Sequence, residues 1–89
     1  MVDSGKLKKA NDRMKQAQYA LKTGVFKWSK DYDKAAYKYE EAAKMYKEMD
    51  EDQLASDAYL EAGKCNEYLK LWQPAADGYA EAARLLPDA

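Results

Sequence analysis

Apolar and polar positions along this chain recur with a helical period. Leu7, Ala10, Met14, Ala17 and Leu21 step by three or four residues, which puts them on one face of a helix. The spacing predicts a first helix over Ser4–Thr23, stopped by Thr23-Gly24, since glycine tolerates the left-handed position beyond a helix end. Asp31 is placed to cap a second helix. Its face carries Tyr32, Ala35, Ala36, Tyr39, Ala42, Ala43, Tyr46 and Met49, with Lys34, Lys38, Glu41, Lys44 and Glu48 opposite. Asp50, Glu51 and Asp52 suit the start of a third helix, where the helix dipole favours anions. The third stripe is Leu54, Ala55, Ala58, Tyr59, Ala62, Cys65, Asn66 and Leu69. A fourth helix has Pro74 in its first turn, where the missing N–H costs nothing. Its face holds Trp72, Ala75, Ala76, Tyr79, Ala82, Ala83 and Leu86, and Pro87 ends it. Strand-type alternation is nowhere sustained.

The second and fourth helices are copies. Residues 32–43 (YDKAAYKYEEAA) return 40 positions later as residues 72–83 (WQPAADGYAEAA), with six of twelve residues identical. Tyr19 and Tyr59 keep the same offset. Self-similarity at such a period marks a helical repeat. Ala75-x3-Tyr79-x2-Ala82-x4-Pro87 reproduces the second-helix pattern of a tetratricopeptide repeat, and Tyr59-x2-Ala62-Gly63 falls at its first-helix positions, with Asn66 replacing the usual later aromatic. The expected fold is all-α: four antiparallel helices in two tetratricopeptide-like hairpins, forming the start of a right-handed α-solenoid. Residues 1–89 read as one domain, with repeat units at about 16–49 and 56–89 and residues 50–55 as extra length between them. Paired alanines let helices approach closely, and the tyrosine one turn away fills the neighbouring gap. Two units are few for a stacked array. The chain is therefore expected to be the N-terminal part of a longer protein, or to cover its open end by self-association.

Composition narrows the class. Glycine and proline are scarce in these 89 residues, histidine is absent and Cys65 is the single cysteine. Catalysis is disfavoured. There is no phosphate loop and no carboxylate pair beside a nucleophile, and Cys65 falls on an apolar stripe without a base near it, as an inert buried thiol does. Asp50, Glu51 and Asp52 lack the spacing and glycine of a calcium loop, so helix capping accounts for them better. No metal and no cofactor is expected. No apolar run reaches the ~20 residues of a membrane span.

Charge is unevenly spread. Residues 1–30 hold eight cations against two acids, net +6, and residues 31–89 hold seven against fourteen, net −7, together giving the chain's −1. A basic front on an acidic body suggests contact with something anionic, although a solvated lysine-rich helix face would look the same. The acidic body argues against nucleic acid.

The segment between the first two helices departs from ordinary polar loop composition. Lys22-Thr23-Gly24-Val25-Phe26-Lys27-Trp28-Ser29-Lys30 interleaves three apolar residues with three lysines. Phe26 and Trp28 either fold back over the helix pair as a lid or form a wedge for a membrane surface, with lysines snorkelling around it. As a wedge, each aromatic would contribute roughly 1.5–3 kcal/mol and each lysine near an anionic surface about 1 kcal/mol. After the cost of association a single copy binds weakly, so attachment needs several copies or a partner already on the membrane.

The string from Leu21 to Ala36, LKTGVFKWSKDYDKAA, resembles the N-terminal part of a soluble NSF attachment protein (SNAP), of the gamma type in particular. The preceding helix and the alanine–tyrosine repeats extend the likeness over essentially the whole chain. The resemblance implies a cytoplasmic adaptor, peripheral on membranes, working in vesicle-mediated transport such as that between ER and Golgi. Its helical hairpins pack along a SNARE complex of syntaxin-type coils, while a C-terminal region recruits the ATPase NSF to disassemble that complex for further rounds of membrane fusion. By position, Val25, Phe26, Lys27 and Trp28 would form the membrane-contact loop, supported by Lys22 and Lys30. That C-terminal region lies outside these residues, so NSF would be reached only through it. The alternative reading is a generic tetratricopeptide-like scaffold that holds a peptide. It would show a groove lined by polar side chains from the first helix of each repeat, for which the sequence offers Asn66 and a few Lys and Gln.

Overall fold

The computed structural model describes residues 4–23 and 31–86. Four helices fill them: α1 (Ser4–Thr23), α2 (Tyr32–Glu48), α3 (Asp52–Tyr68) and α4 (Trp72–Leu85). No strand occurs among the described residues. Each helix packs chiefly on its neighbour in sequence, α1 on α2, α2 on α3 and α3 on α4. The result is a row of antiparallel hairpins, elongated at 43 × 27 × 16 Å. The expected all-α hairpin architecture is the one observed. Gly24 and Pro87, read as helix stops, lie outside the described residues.

The start of α2 follows the expected capping chemistry. The Lys34 backbone N–H donates to Asp31 Oδ1 at 3.1 Å, satisfying one of the orphan donors of the first turn. The two later turns are built differently. After α2, the Asp50 N–H donates to the Lys47 carbonyl and the Glu51 N–H to the Tyr46 carbonyl. After α3, Lys70 and Leu71 donate likewise to Glu67 and Asn66. This is the paired Schellman arrangement, and it needs a left-handed residue at its centre. Asp50 (φ 60°) and Lys70 (φ 63°) supply it without being glycine. The acidic cluster is thereby corrected. Asp50 closes α2 instead of opening α3, Glu51 is the residue before α3 but makes no side-chain cap, and only Asp52 sits in the first turn.

The core is made of alanine. Among the described residues, twelve of the sixteen buried hydrophobic side chains are alanines, joined by Tyr39, Tyr46, Tyr59 and Cys65. One cluster joins Ala10, Ala42, Ala43, Tyr46, Ala55, Ala58, Tyr59 and Ala82. A second holds Ala17, Ala20, Ala35, Ala36, Tyr39, Ala62 and Cys65. Met14 packs against both. Small side chains bring the helix axes close, and each tyrosine ring fills the space that the alanines leave. The Tyr46 hydroxyl donates to Asn11 Oδ1, linking α2 to α1. Asn66, the departure from the repeat pattern, is buried and its Nδ2 donates to Glu40 Oε1 at 3.5 Å, linking α3 to α2. Tyr32 stacks on Tyr68, with centroids 4.0 Å apart and planes at 22°, and joins the start of α2 to the end of α3.

Several positions read from the stripes or the repeat offset differ from expectation. Tyr19 is 67% exposed, whereas its 40-residue counterpart Tyr59 is buried. Trp72 is 63% exposed, and Ala76 and Ala83 are exposed as well. Leu54 is partly exposed. The physical reason is common to Trp72, Ala76 and Ala83: α4 packs chiefly on α3, so only part of its apolar face has a neighbour to bury against.

Candidate functional site

The site read from sequence is the connection between α1 and α2. Val25, Phe26, Lys27, Trp28 and Lys30 lie outside the described residues. Its two anchors are described. Lys22, in the last turn of α1, is exposed, and Asp31 holds the first turn of α2 through Lys34 N–H.

Two concave regions lie on the described helices, and neither was singled out in the sequence. The larger, about 550 Å³, lies between α2 and α4 with α3 as its floor. Glu40, Lys44 and Glu48 line it from α2, Pro74 and Asp77 from α4, and Tyr59 and Ala62 close the bottom. Lys47 and Glu81, also on its lining, pair across it at 3.3 Å. Glu81 also takes Arg84. The hydrogen bond from Lys47 is the chief reason the Glu81 carboxyl is held below its ordinary value. Burial raises the Tyr59 hydroxyl above its ordinary value, so it stays protonated at neutral pH. These groups can bind and orient. None forms a nucleophile–base pair.

Cys65 is equally unsuited to chemistry. Burial, with the Glu61 charge second, pushes its thiol up to about 11, and the thiolate is the reactive form. Among the described residues no three metal-ligating side chains stand together.

The smaller concavity, about 400 Å³, opens between α1 and α2 and is lined by Lys15, Gln16, Tyr19, Lys34 and Lys38. Lys15 lies in the basic front of the chain, but Lys34 and Lys38 belong to the part counted as acidic. The antiparallel hairpin brings them together. The missed signal was the i, i+4 pair Lys34 and Lys38 on a helix that must run back along α1.

Sequential antiparallel helices around an alanine–tyrosine core define a module of helical hairpins. The chain belongs to the SNAP family: the model for "Soluble NSF attachment protein, SNAP" matches residues 8–88. No solved structure matches the chain. The family is one of non-enzymatic adaptors, and membership ties the chain to SNARE- and NSF-related vesicle traffic in general. The residues read as a membrane-contact loop fall inside the matched span. No helix among the described residues is long and apolar enough to cross a membrane.

Proposed function

We propose that this chain is the membrane- and SNARE-contacting part of a gamma-type SNAP. In this reading, Val25, Phe26, Lys27 and Trp28 dip into the interface of a membrane, with Lys22 and Lys30 meeting its anionic headgroups. The helices meet syntaxin-type SNARE coils, and NSF is engaged through a C-terminal region beyond these residues. The protein is then cytoplasmic and peripheral on membranes, acting in transport between ER and Golgi and in the membrane-fusion cycle. The observation that carries the reading is the family match across the loop and both flanking helices. The basic side chains on either side of the connection, Lys22 on α1 and Lys34 on α2, support it.

A generic peptide-holding scaffold calls for a groove built by the first helices of the two expected repeat units. The larger groove is walled by α2 and α4, the second helices of those units, so the adaptor reading is preferred.

Liposome co-flotation tests the loop. The protein, tethered at high density to offset weak single-copy affinity, is compared with a Phe26→Ser/Trp28→Ser variant on vesicles of varied acidic lipid content. The expected result is flotation that disappears in a variant whose helical circular dichroism is intact. Equal flotation of both would remove the loop from the mechanism, and an unfolded variant would show that the aromatics belong to the core.

A further inference from the structure

We propose that the concavity between α1 and α2 binds the phosphorylated headgroup of an inositol lipid. Three lysine side chains from two helices, Lys15, Lys34 and Lys38, line one space of about 400 Å³ together with the Gln16 amide and the Tyr19 phenol. Each ammonium offers up to three N–H donors and no acceptor. Convergent cations with neutral donors beside them fit clustered phosphomonoesters, which carry more than one charge per group and three acceptor oxygens each.

The local charge balance favours this ligand. Among the described residues the acid paired with a lining lysine is Glu41, 3.4 Å from Lys38 Nζ. Arg13 also pairs with Glu41, at 3.5 Å, so that carboxylate is shared and Lys38 is not fully neutralised. The Lys38 ammonium also lies 5.8 Å from the ring centroid of the exposed Tyr37. Tyr19, exposed on the lining, and the exposed Tyr37 beside Lys38 suit a headgroup layer, where an apolar ring and a polar hydroxyl are both accommodated. The cations come from two helices and converge on one open concavity, which fits a headgroup better than the side of an acidic protein helix. The place in the fold agrees. Lys34 is in the first turn of α2 and Tyr19 one turn before the end of α1, so the cavity lies toward the end of the hairpin that carries the connection.

The inference extends the membrane reading proposed above but is separable from it. Inositol trisphosphate is titrated into the protein by NMR. In parallel, flotation is measured on phosphatidylcholine vesicles containing phosphatidylinositol bisphosphate, against vesicles with the same total charge carried by phosphatidylserine. The proteins compared are the parent, the single variants Lys15→Gln, Lys34→Gln and Lys38→Gln, their triple combination, and Phe26→Ser/Trp28→Ser. The expected result is that inositol trisphosphate shifts the resonances of the lining residues. Single Lys→Gln changes weaken that binding about fivefold each, the equivalent of about 1 kcal/mol per lysine. The triple variant loses the preference for the bisphosphate vesicles, and the loop variant keeps its affinity for soluble inositol trisphosphate. Absence of shifts at the lining residues overturns the proposal, as does equal flotation on the two vesicle types. Displacement of inositol trisphosphate by an equally charged poly-glutamate peptide would also overturn it, by making an acidic protein surface the occupant. If the loop variant floats like the parent, the loop reading fails while the headgroup site still stands or falls by the triple variant.

Discussion

The ring of Tyr79 stands where a side chain on Gly63 would begin: a Cβ built at Gly63 meets Tyr79 Cε1 at 2.8 Å. Across the same crossing, a Cβ at Gly78 would meet the Tyr59 carbonyl oxygen at 3.1 Å and the Gly63 backbone N at 3.4 Å. The contact of α3 with α4 is therefore set by glycine and an aromatic ring. Tyr79 is not free to swing, because its hydroxyl donates to Glu67 Oε1 at 2.8 Å. Gly63→Ala gains helix propensity, roughly 0.5–1 kcal/mol, but forces the ring aside at an overpacking cost of roughly 1–3 kcal/mol. The expected net effect is a loss of about 1 kcal/mol in urea unfolding. In a Tyr79→Ala background the ring is gone and Gly63→Ala should stabilise. The same sign in both backgrounds would mean that the ring does not set the spacing.

The two Schellman turns make an opposite kind of prediction. Asp50 and Lys70 hold left-handed φ values of 60° and 63°, which cost a residue with a Cβ roughly 1–2 kcal/mol over glycine. Glycine gives some of that back through the unfolded chain, about 0.4–1 kcal/mol. Lys70→Gly should raise stability by about 0.5–1 kcal/mol. Asp50→Gly should gain less, because a short polar side chain already tolerates this region. The turns share no partner, so the double variant should be additive. Midpoints of urea denaturation at constant slope are the readout, and a loss of stability at Lys70 would show that its side chain matters more than its backbone.

These turns also mark where the chain could be read and where it could not. Helix α1 is legible by its stripe, and α2 by a stripe and a recognisable cap that agree, at Asp31. The exit from α2 is not, since an acidic residue in a left-handed turn looks like an acidic helix start. Tyr19 was read into the repeat by its offset from Tyr59, but period alone does not say which helix face has a neighbour. The lysine cavity was hidden for a related reason. Summing charge along the sequence put Lys34 and Lys38 on the acidic side of the ledger, whereas the hairpin sets them beside Lys15. The connection at residues 24–30 reads in the sequence as apolar residues among lysines and lies outside the described residues.

An alanine core has little room. Ala58 is fully buried within a cluster drawn from all four helices. Ala58→Leu must push α3 away from its neighbours, and a cost of roughly 1–3 kcal/mol is a large share of the ~4–13 kcal/mol that a chain of this size commands. Broadened amide NMR signals and a lowered urea midpoint are expected. Ala80 on α4 is exposed, so Ala80→Leu should leave stability within about 0.5 kcal/mol. If both variants behave alike, the close helix approach is not what the alanines provide.

Alkaline pH should unfold the protein through groups buried in their neutral form. Burial raises the Cys65 thiol to about 11 from an ordinary 9.0 and the Tyr39 hydroxyl to about 12 from 10.0. A group whose value is higher in the folded state keeps its proton there after the unfolded chain has lost it. Its contribution is complete below the unfolded value and declines as pH rises through the folded one. Stability should therefore be flat through neutral pH, begin to fall near 9 as Cys65 titrates in the unfolded chain, and steepen above 10 when Tyr39 joins. Cys65→Ala removes the first step, so the decline in that variant should start about one pH unit later, with the tyrosines. Stability curves from urea titrations across the alkaline range check this, with thiol-reagent kinetics in parallel, in which native Cys65 should react far more slowly than the unfolded chain. A decline that begins at the same pH with and without the thiol would assign the whole alkaline limb to tyrosine and remove Cys65 from it.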